Sequence, residues 1–279
     1  MVNPWLDLTK PRLTLTSVFT GLCGFSIAAE GGLWPRFGLL ATGLALVGGG
    51  ANVLNQYYER DSDALMDRTR RRPIPAGRLL PEDSARFGLA LVAAGLAILY
   101  GSTNLLTTWL GALACAIYLW VYTPLKKITP WNTLVGAVVG ALPVLMGWTA
   151  GSGRLTGAGW ALFAFLYVWQ LPHFLAIAWI YRDDYRKGGL RMPPGGLKAE
   201  RTGRLILAAA ALTFAASILP FSAGAAGYTY FFMSIFFGTL FTGYACALWA
   251  ARLEFAGSFV GSSIFYLIVM NASLLWEKI

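Results

Sequence analysis

The sequence predicts an all-α polytopic membrane protein: nine transmembrane helices in one bundle, with the N-terminus cytoplasmic. Three observations carry that reading. The chain of 279 residues is 57% hydrophobic and only 13% charged, with mean hydropathy +0.58, a balance that excludes an ordinary soluble globule. Its apolar residues fall into runs of about 20, the length that crosses a bilayer. Its charges are confined to short segments between those runs, as the cost of charge at bilayer depth requires. The net charge of +9 would suggest nucleic acid in a soluble protein. Here orientation signals and anionic headgroups or diphosphates account for it, and no nucleic-acid partner is expected.

Taken in order, span 1 (residues 13–29) follows Lys10 and Arg12. Many spans come after it, so it is read as a retained helix rather than a signal peptide. Span 2 (37–58) carries Gly48, Gly49 and Gly50 and leads into the most charged stretch of the chain. Spans 3 and 4 (87–102 and 105–122) are joined closely. Span 5 (133–150) has Gly136, Gly140 and Gly147, small residues that let helices approach in lipid, and Pro143, which should kink or loosen it. Span 6 (158–180) holds His173, the chain's one histidine, and spans 7 to 9 follow at 204–221, 225–249 and 257–276. The connections leave no room for a separate soluble domain, so residues 1–279 are read as one. All but Arg36, Arg154 and Lys278 of the 22 Lys and Arg fall on one side, which the positive-inside rule makes cytoplasmic. All but Glu30 and Glu277 of the 13 acidic residues join them. Topology does not require that co-segregation; a polar site at one membrane face does. Cys23, Cys115 and Cys246 are isolated in apolar runs and read as reduced packing residues.

The stretch Asn55–Pro75 is the strongest candidate for such a site. Asn55, Glu59, Asp63 and Asp67 recur every fourth residue, and on a helix they share one face with a drift of about 40° per step. Carboxylates so arranged repel one another unless a cation sits among them. Arg60 lies inside the array, and Arg68, Arg70, Arg71 and Arg72 follow before Pro73 and Pro75, which are expected to end the helix. Carboxylates beside arginines at a membrane edge suggest Mg²⁺ and a phosphorylated lipid. A solvated juxtamembrane face is the plain alternative, and the strict spacing from inside the span argues against it.

Three further segments face the same side. Lys10 and Arg12 precede span 1, and Tyr122 with Lys126 and Lys127 closes span 4. Span 6 runs through Trp169, Gln170, Pro172, His173 and Phe174 into Asp183 and Asp184, again with arginine and lysine beside them. The two acidic segments lie about 120 residues apart and are expected at corresponding ends of two halves facing one cavity. Mg²⁺ takes one or two carboxylates plus phosphate oxygens, while Arg and Lys bind the remaining oxygens. That set suits ionisation of an allylic diphosphate. Aromatic faces such as Tyr57, Tyr118, Trp169 or Phe174 could stabilise a carbocation.

At these residues the chain resembles a known family. Asn55-x-x-x-Glu59-x-x-x-Asp63 is similar to the first metal–diphosphate motif of the UbiA superfamily of intramembrane prenyltransferases. Arg60 to Thr69 with Arg72-Pro73 resembles its haem branch, the protohaem IX farnesyltransferases. So do Thr9 to Arg12, Tyr122 to Lys126, Gly140 to Pro143 with Gly147-Trp148, and Trp169 to Phe174. The likeness spans about residues 8–195. It implies a UbiA-like bundle that transfers farnesyl from farnesyl diphosphate to a vinyl group of haem b, with addition of water, to give haem o. It implies Mg²⁺ as cofactor, with Asn55, Glu59, Asp63, Asp67 and Asp184 as metal-site or catalytic residues. Lys10, Arg12, Arg60, Arg68, Arg72, Tyr122, Lys126 and His173 become substrate-binding residues. Haem a synthase or a terminal oxidase would be partners, and the cell membrane, or the inner mitochondrial membrane in a eukaryote, the location. Two departures stand out. Glu59 replaces the usual Asp, and His173 stands where relatives acting on quinone precursors carry an acid; a haem acceptor gives His173 a chemical role. The alternatives are a polyprenyltransferase with another apolar acceptor, and a transporter. Transport sites sit near the midplane, whereas most acids here lie at cytoplasmic ends.

Overall fold

The computed structural model describes residues 3–29, 34–193 and 195–277. Glu30 and Lys278, used above for topology, lie outside the described residues. Among those residues there is no strand. The elements are α1 (Pro4–Leu8), α2 (Pro11–Ala28), α3 (Trp34–Leu65), α4 (Pro81–Ser102), α5 (Leu105–Ala116), a π-helical turn (Ile117–Tyr122) and α6 (Thr123–Ile128). They continue with α7 (Asn132–Ser152), α8 (Gly157–Ile180), α9 (Arg182–Lys187), α10 (Ala199–Ser217), α11 (Leu219–Ser222), α12 (Tyr228–Ala250) and α13 (Ala256–Trp276). Eight helical stretches among the described residues are long and apolar enough to cross a membrane. The first of the nine expected spans corresponds to α2, whose 18 residues include Arg12 and several Thr and Ser.

Two packed halves share the middle of the bundle. α3 lies along α4, and α2 along α7; α8 packs on α7, α10 and α13, and α10 on α12. Small residues permit the closest of these approaches. Gly147 of α7 meets the Gly21 backbone of α2, and Gly140 meets the Gln170 side chain of α8, so a methyl group at either glycine would collide. Gln170 Nε2 donates to the Ala137 carbonyl at 3.0 Å, tying α8 to α7 beside Pro143. α7 runs through Pro143 as one helix, although that residue has no N–H to give the preceding turn.

The end of α3 departs from expectation. The helix stops at Leu65, well before Pro73 and Pro75. Side chains beyond it take over the terminal groups: Thr69 Oγ1 donates to the Asp63 carbonyl at 2.9 Å. The carboxylate of Asp184 accepts from the backbone N–H of Asp67 at 3.3 Å and of Arg68 at 3.0 Å. Residues 66–79 then run as consecutive turns.

Candidate active site

The last three turns of α3 place Asn55, Glu59 and Asp63 on its inner face, 1%, 6% and 1% exposed. Buried charges require partners, and each polar group here has one from a different element. Lys126 of α6 reaches Glu59 Oε1 at 2.8 Å, and Arg72 reaches Asp63 Oδ2 at 2.6 Å. Lys10, between α1 and α2, donates to Asn55 Oδ1 at 3.1 Å. Asn55 Nδ2 donates in turn to Thr123 Oγ1 at 3.0 Å. Asn52, which the sequence reading left out of the site, and Tyr118, read there only as an aromatic face, extend the network: Tyr118 OH donates to Asn52 Oδ1 at 3.3 Å, and Asn52 Nδ2 to Thr14 Oγ1 at 3.2 Å.

The π-helical turn arranges the facing wall. Tyr118 and Tyr122 stack with centroids 5.7 Å apart, and Lys126 Nζ lies 4.5 Å over the Tyr122 ring. Gly136 of α7 leaves room for Tyr122, since a Cβ there would strike the ring. The segment after α9 covers α6: Arg191 N–H donates to the Lys126 carbonyl at 2.6 Å, and Asn132 Nδ2 to the Arg191 carbonyl at 2.9 Å. Arg68 lies 4.6 Å from the Tyr181 ring and 5.6 Å from that of Tyr185.

These groups close the polar end of a cavity of about 490 Å³. Lys10, Arg68, Arg72 and Lys126 line it together with Asn55, Glu59 and Asp63. Its wall continues to Val47, Pro143 and Met146 within the bundle and to His173 on α8. Four cationic side chains against two carboxylates make the polar end complementary to an anion. Lys10 is pushed down to about 7, by burial first and then by Arg72 and Lys126, against the opposing pull of Glu59 and Asp63. An anion placed beside it would push it back up.

The carboxylate Asp63 Oδ1 is buried without a hydrogen-bond partner, a costly condition that a bound cation relieves. Among the described residues no three His, Cys, Asp or Glu side chains converge on a metal position. Mg²⁺ does not need three, because it is held by one or two carboxylates, waters and substrate phosphate oxygens. The donor set therefore fits a Mg²⁺ that arrives with a phosphorylated substrate, not one in an all-protein cage.

Four of the expected residues are not among those lining the cavity. Asp67 falls beyond the end of α3 and is exposed, paired with Lys187 at 2.5 Å and Arg70 at 3.5 Å. The Lys187 hydrogen bond holds its carboxyl below the usual range. Asp184 spends both oxygens on the turn after α3. Arg60 lies over Tyr57, donates to the Tyr57 carbonyl at 2.9 Å, and pairs with Asp61. Arg12 is exposed at the start of α2. The two acidic segments do meet, but through the backbone of residues 67 and 68 rather than around a shared ion.

With this geometry in place, comparison with known proteins is decisive about kinship. The model of the UbiA prenyltransferase family matches residues 17–260. The chain belongs to the UbiA prenyltransferase family. It is 36% identical to a protoheme IX farnesyltransferase of Solibacter usitatus over 99% of both chains. To one of Salinibacter ruber it is 44% identical over 82% of both. A UbiA homolog from Aeropyrum pernix K1, 22% identical, superposes with a TM-score of 0.74 over 96% of this chain and 98% of that one. A UbiA homolog from Archaeoglobus fulgidus bound to GPP and Mg²⁺, 18% identical, gives 0.69 over 98% and 99%. At those identities the structures establish the fold: a helical integral membrane bundle of UbiA type.

Proposed function

We propose that this chain transfers a farnesyl group from farnesyl diphosphate to a vinyl group of haem b, with addition of water, to give haem o. The observation that carries the reading is one cavity that joins a cationic, carboxylate-bearing end to an apolar interior. The nearly full-length relatives bearing the protoheme IX farnesyltransferase name support the choice of donor and acceptor. We read the chain as one catalytic domain of nine spans, α2 included, with its N-terminus and polar cavity end on the cytoplasmic side of the cell membrane. The product passes to oxidase assembly.

In this reading Lys126, Arg72, Lys10 and Arg68 bind diphosphate oxygens, the charge-assisted kind of hydrogen bond that is strongest in a partly dry site. Asp63 Oδ1, Asn55 and Glu59 would hold Mg²⁺, which supplies neutralisation of charge on the leaving diphosphate. Glu59 keeps Lys126 extended toward the cavity instead of letting it fold back into its own helix end. The farnesyl chain lies between Val47, Pro143 and Met146, where water is excluded. The C1–O bond breaks with its electron pair leaving on the diphosphate, and the terminal vinyl carbon bonds to C1. The resulting cation, adjacent to the porphyrin, takes a water oxygen and releases a proton. Tyr118 and Tyr122 present ring faces to the positive charge in transit. The Archaeoglobus homolog with GPP and Mg²⁺ supports the metal–diphosphate part by family relation.

The test is product mass spectrometry with purified protein, farnesyl diphosphate, Mg²⁺ and haem b. The expected product is haem heavier by one farnesyl group plus water, and absent in EDTA. Unchanged haem b beside a prenylated aromatic acid or quinone precursor would replace the acceptor and keep the metal–diphosphate site.

A further inference from the structure

His173 sits on α8 seven residues before the helix ends at Ile180, about 10 Å along the axis, and lines the cavity that holds Asp63 and Lys126. Its surroundings fix one edge of the ring. Nδ1 lies 2.7 Å from Ser263 Oγ of α13. Trp169, one turn earlier, stacks on the imidazole at 5.2 Å and 20°. That indole is locked in turn by donating Nε1–H to the Ser263 carbonyl at 2.9 Å. One fully buried serine therefore holds both rings.

The serine also decides the tautomer. Its Oγ is 2.7 Å from the Val260 carbonyl of its own helix as well as 2.7 Å from Nδ1. A hydroxyl has one proton. If it were given to Nδ1, two bare oxygens would face each other at hydrogen-bonding distance. If it is given to Val260, as serines in helices do, then Nδ1 must carry the hydrogen and donate it to Oγ. Both short contacts are satisfied only in the second arrangement. Nε2, on the other side of the ring, then keeps its lone pair free and makes no hydrogen bond among the described residues, on a side chain that lines the cavity. A neutral imidazole with Nδ1–H donated to a neighbour and Nε2 open is the form that ligates a metal.

We propose that His173 Nε2 is an axial ligand of the porphyrin iron of the acceptor, and that Ser263 is the positioning residue that sets its tautomer and angle. The proposal rests on the haem reading above and deepens it. The iron is anchored on the α8 wall, so the porphyrin is held at one depth in the cavity while the prenyl diphosphate occupies the polar end. Recognition by iron also means that the site distinguishes haem b from the same macrocycle without metal.

The chain's single histidine makes the test site-specific without mutation. Untagged protein grown on ¹⁵N-histidine is mixed with ferric haem b and examined by pulsed EPR. A directly coordinated ¹⁵N coupling is expected; its absence in protein that binds haem overturns the ligand assignment. In a parallel titration, wild type is expected to prefer haem b over metal-free protoporphyrin IX, and His173→Ala to lose that preference while still binding farnesyl diphosphate. Equal preference in both proteins would also overturn it. Ser263→Ala should keep the ¹⁵N coupling but weaken haem binding by roughly tenfold, as loss of a group that orients a metal-ligating histidine does. Unchanged affinity would remove Ser263 from the proposal. If wild type bound haem and showed no histidine coupling yet made the farnesylated product, the ligand alone would fall. If folded wild type neither bound nor prenylated haem b, the function itself would fall with it.

Discussion

Two acidic segments, at the end of α3 and in α9, look alike in sequence, each with carboxylates flanked by arginine and lysine, yet the fold uses them differently. Glu59 and Asp63 are buried, and their partners come from α6 and from the turns after α3. Asp183 and Asp184 stand on a six-residue helix with no buried residue. Asp183 pairs with Arg186 one turn on. Asp184 binds main-chain N–H groups and so fixes where Arg68 begins. In the proposed function the first segment carries the chemistry, and the second holds the first in shape. Residue type told of carboxylates in both places, and only burial and partner identity separate the roles.

The largest expected effect is at Asp63. Asp63→Asn keeps the shape and an acceptor for Arg72 but removes the charge that a Mg²⁺–diphosphate pair needs. Turnover should fall by ~10³-fold or more, with membrane insertion and detergent-solution melting close to wild type. A fall of less than tenfold would return the carboxylate to a structural role. Next comes Asp184→Asn, which keeps one acceptor oxygen and loses the other. Loss of a charged hydrogen bond to the turn after α3 should raise KM for the prenyl diphosphate by roughly tenfold and leave kcat nearly unchanged. Hydrogen exchange at Asp67 and Arg68 should quicken. A collapse in kcat instead would make Asp184 a partner in the chemistry and erase the contrast between the two segments.

A third, smaller effect concerns protons. With Lys10 lowered to about 7 in the folded protein and near 10.4 unfolded, the unfolded chain binds more protons between those values. This group's contribution to stability therefore rises with pH across that window, and its penalty is fully present below about 7. Diphosphate binding restores the charge, so calorimetry at pH 8 in buffers of different ionisation heat should show proton uptake, lost in Lys10→Met. The smallest effect belongs to Asp67→Ala. Its ion pairs are exposed and screened, so activity should change by less than about twofold. A large loss would extend the buried array to a fourth member.

How far the sequence could see follows from the same contrast. The four-residue spacing of Asn55, Glu59 and Asp63 is a property of one helix, and it was legible. It failed at Asp67 because the helix ends at Leu65, where Thr69 and Asp184 capture the terminal groups. Asp184 is over a hundred residues away, and no local rule counts it. The prolines suggested the wrong boundary for that reason. Lys126 and Arg72 were found as cations near the site, but that each is assigned to its own carboxylate became visible only in three dimensions. Of the nine expected spans, the first was the weakest in composition; Arg12 and its Thr and Ser dilute α2, which is held by close packing on α7 more than by its own hydropathy. Ser263 had no signal at all. Serines recur along α13 at 258, 262, 263 and 273, and only contact with His173 sets one apart.

The π-helical turn of Ile117–Tyr122 has a consequence for how this wall can vary. It widens one turn between α5 and α6, and everything after it, Lys126 included, is rotated accordingly. Were the turn to relax to ordinary α geometry at unchanged length, the following side chains would swing by about 100° around the axis, carrying Lys126 away from Glu59. The register between the Lys126 ammonium and the Glu59 carboxylate thus depends on one residue absorbed by the wider turn, and Tyr118 and Tyr122 of that turn line the polar end of the cavity.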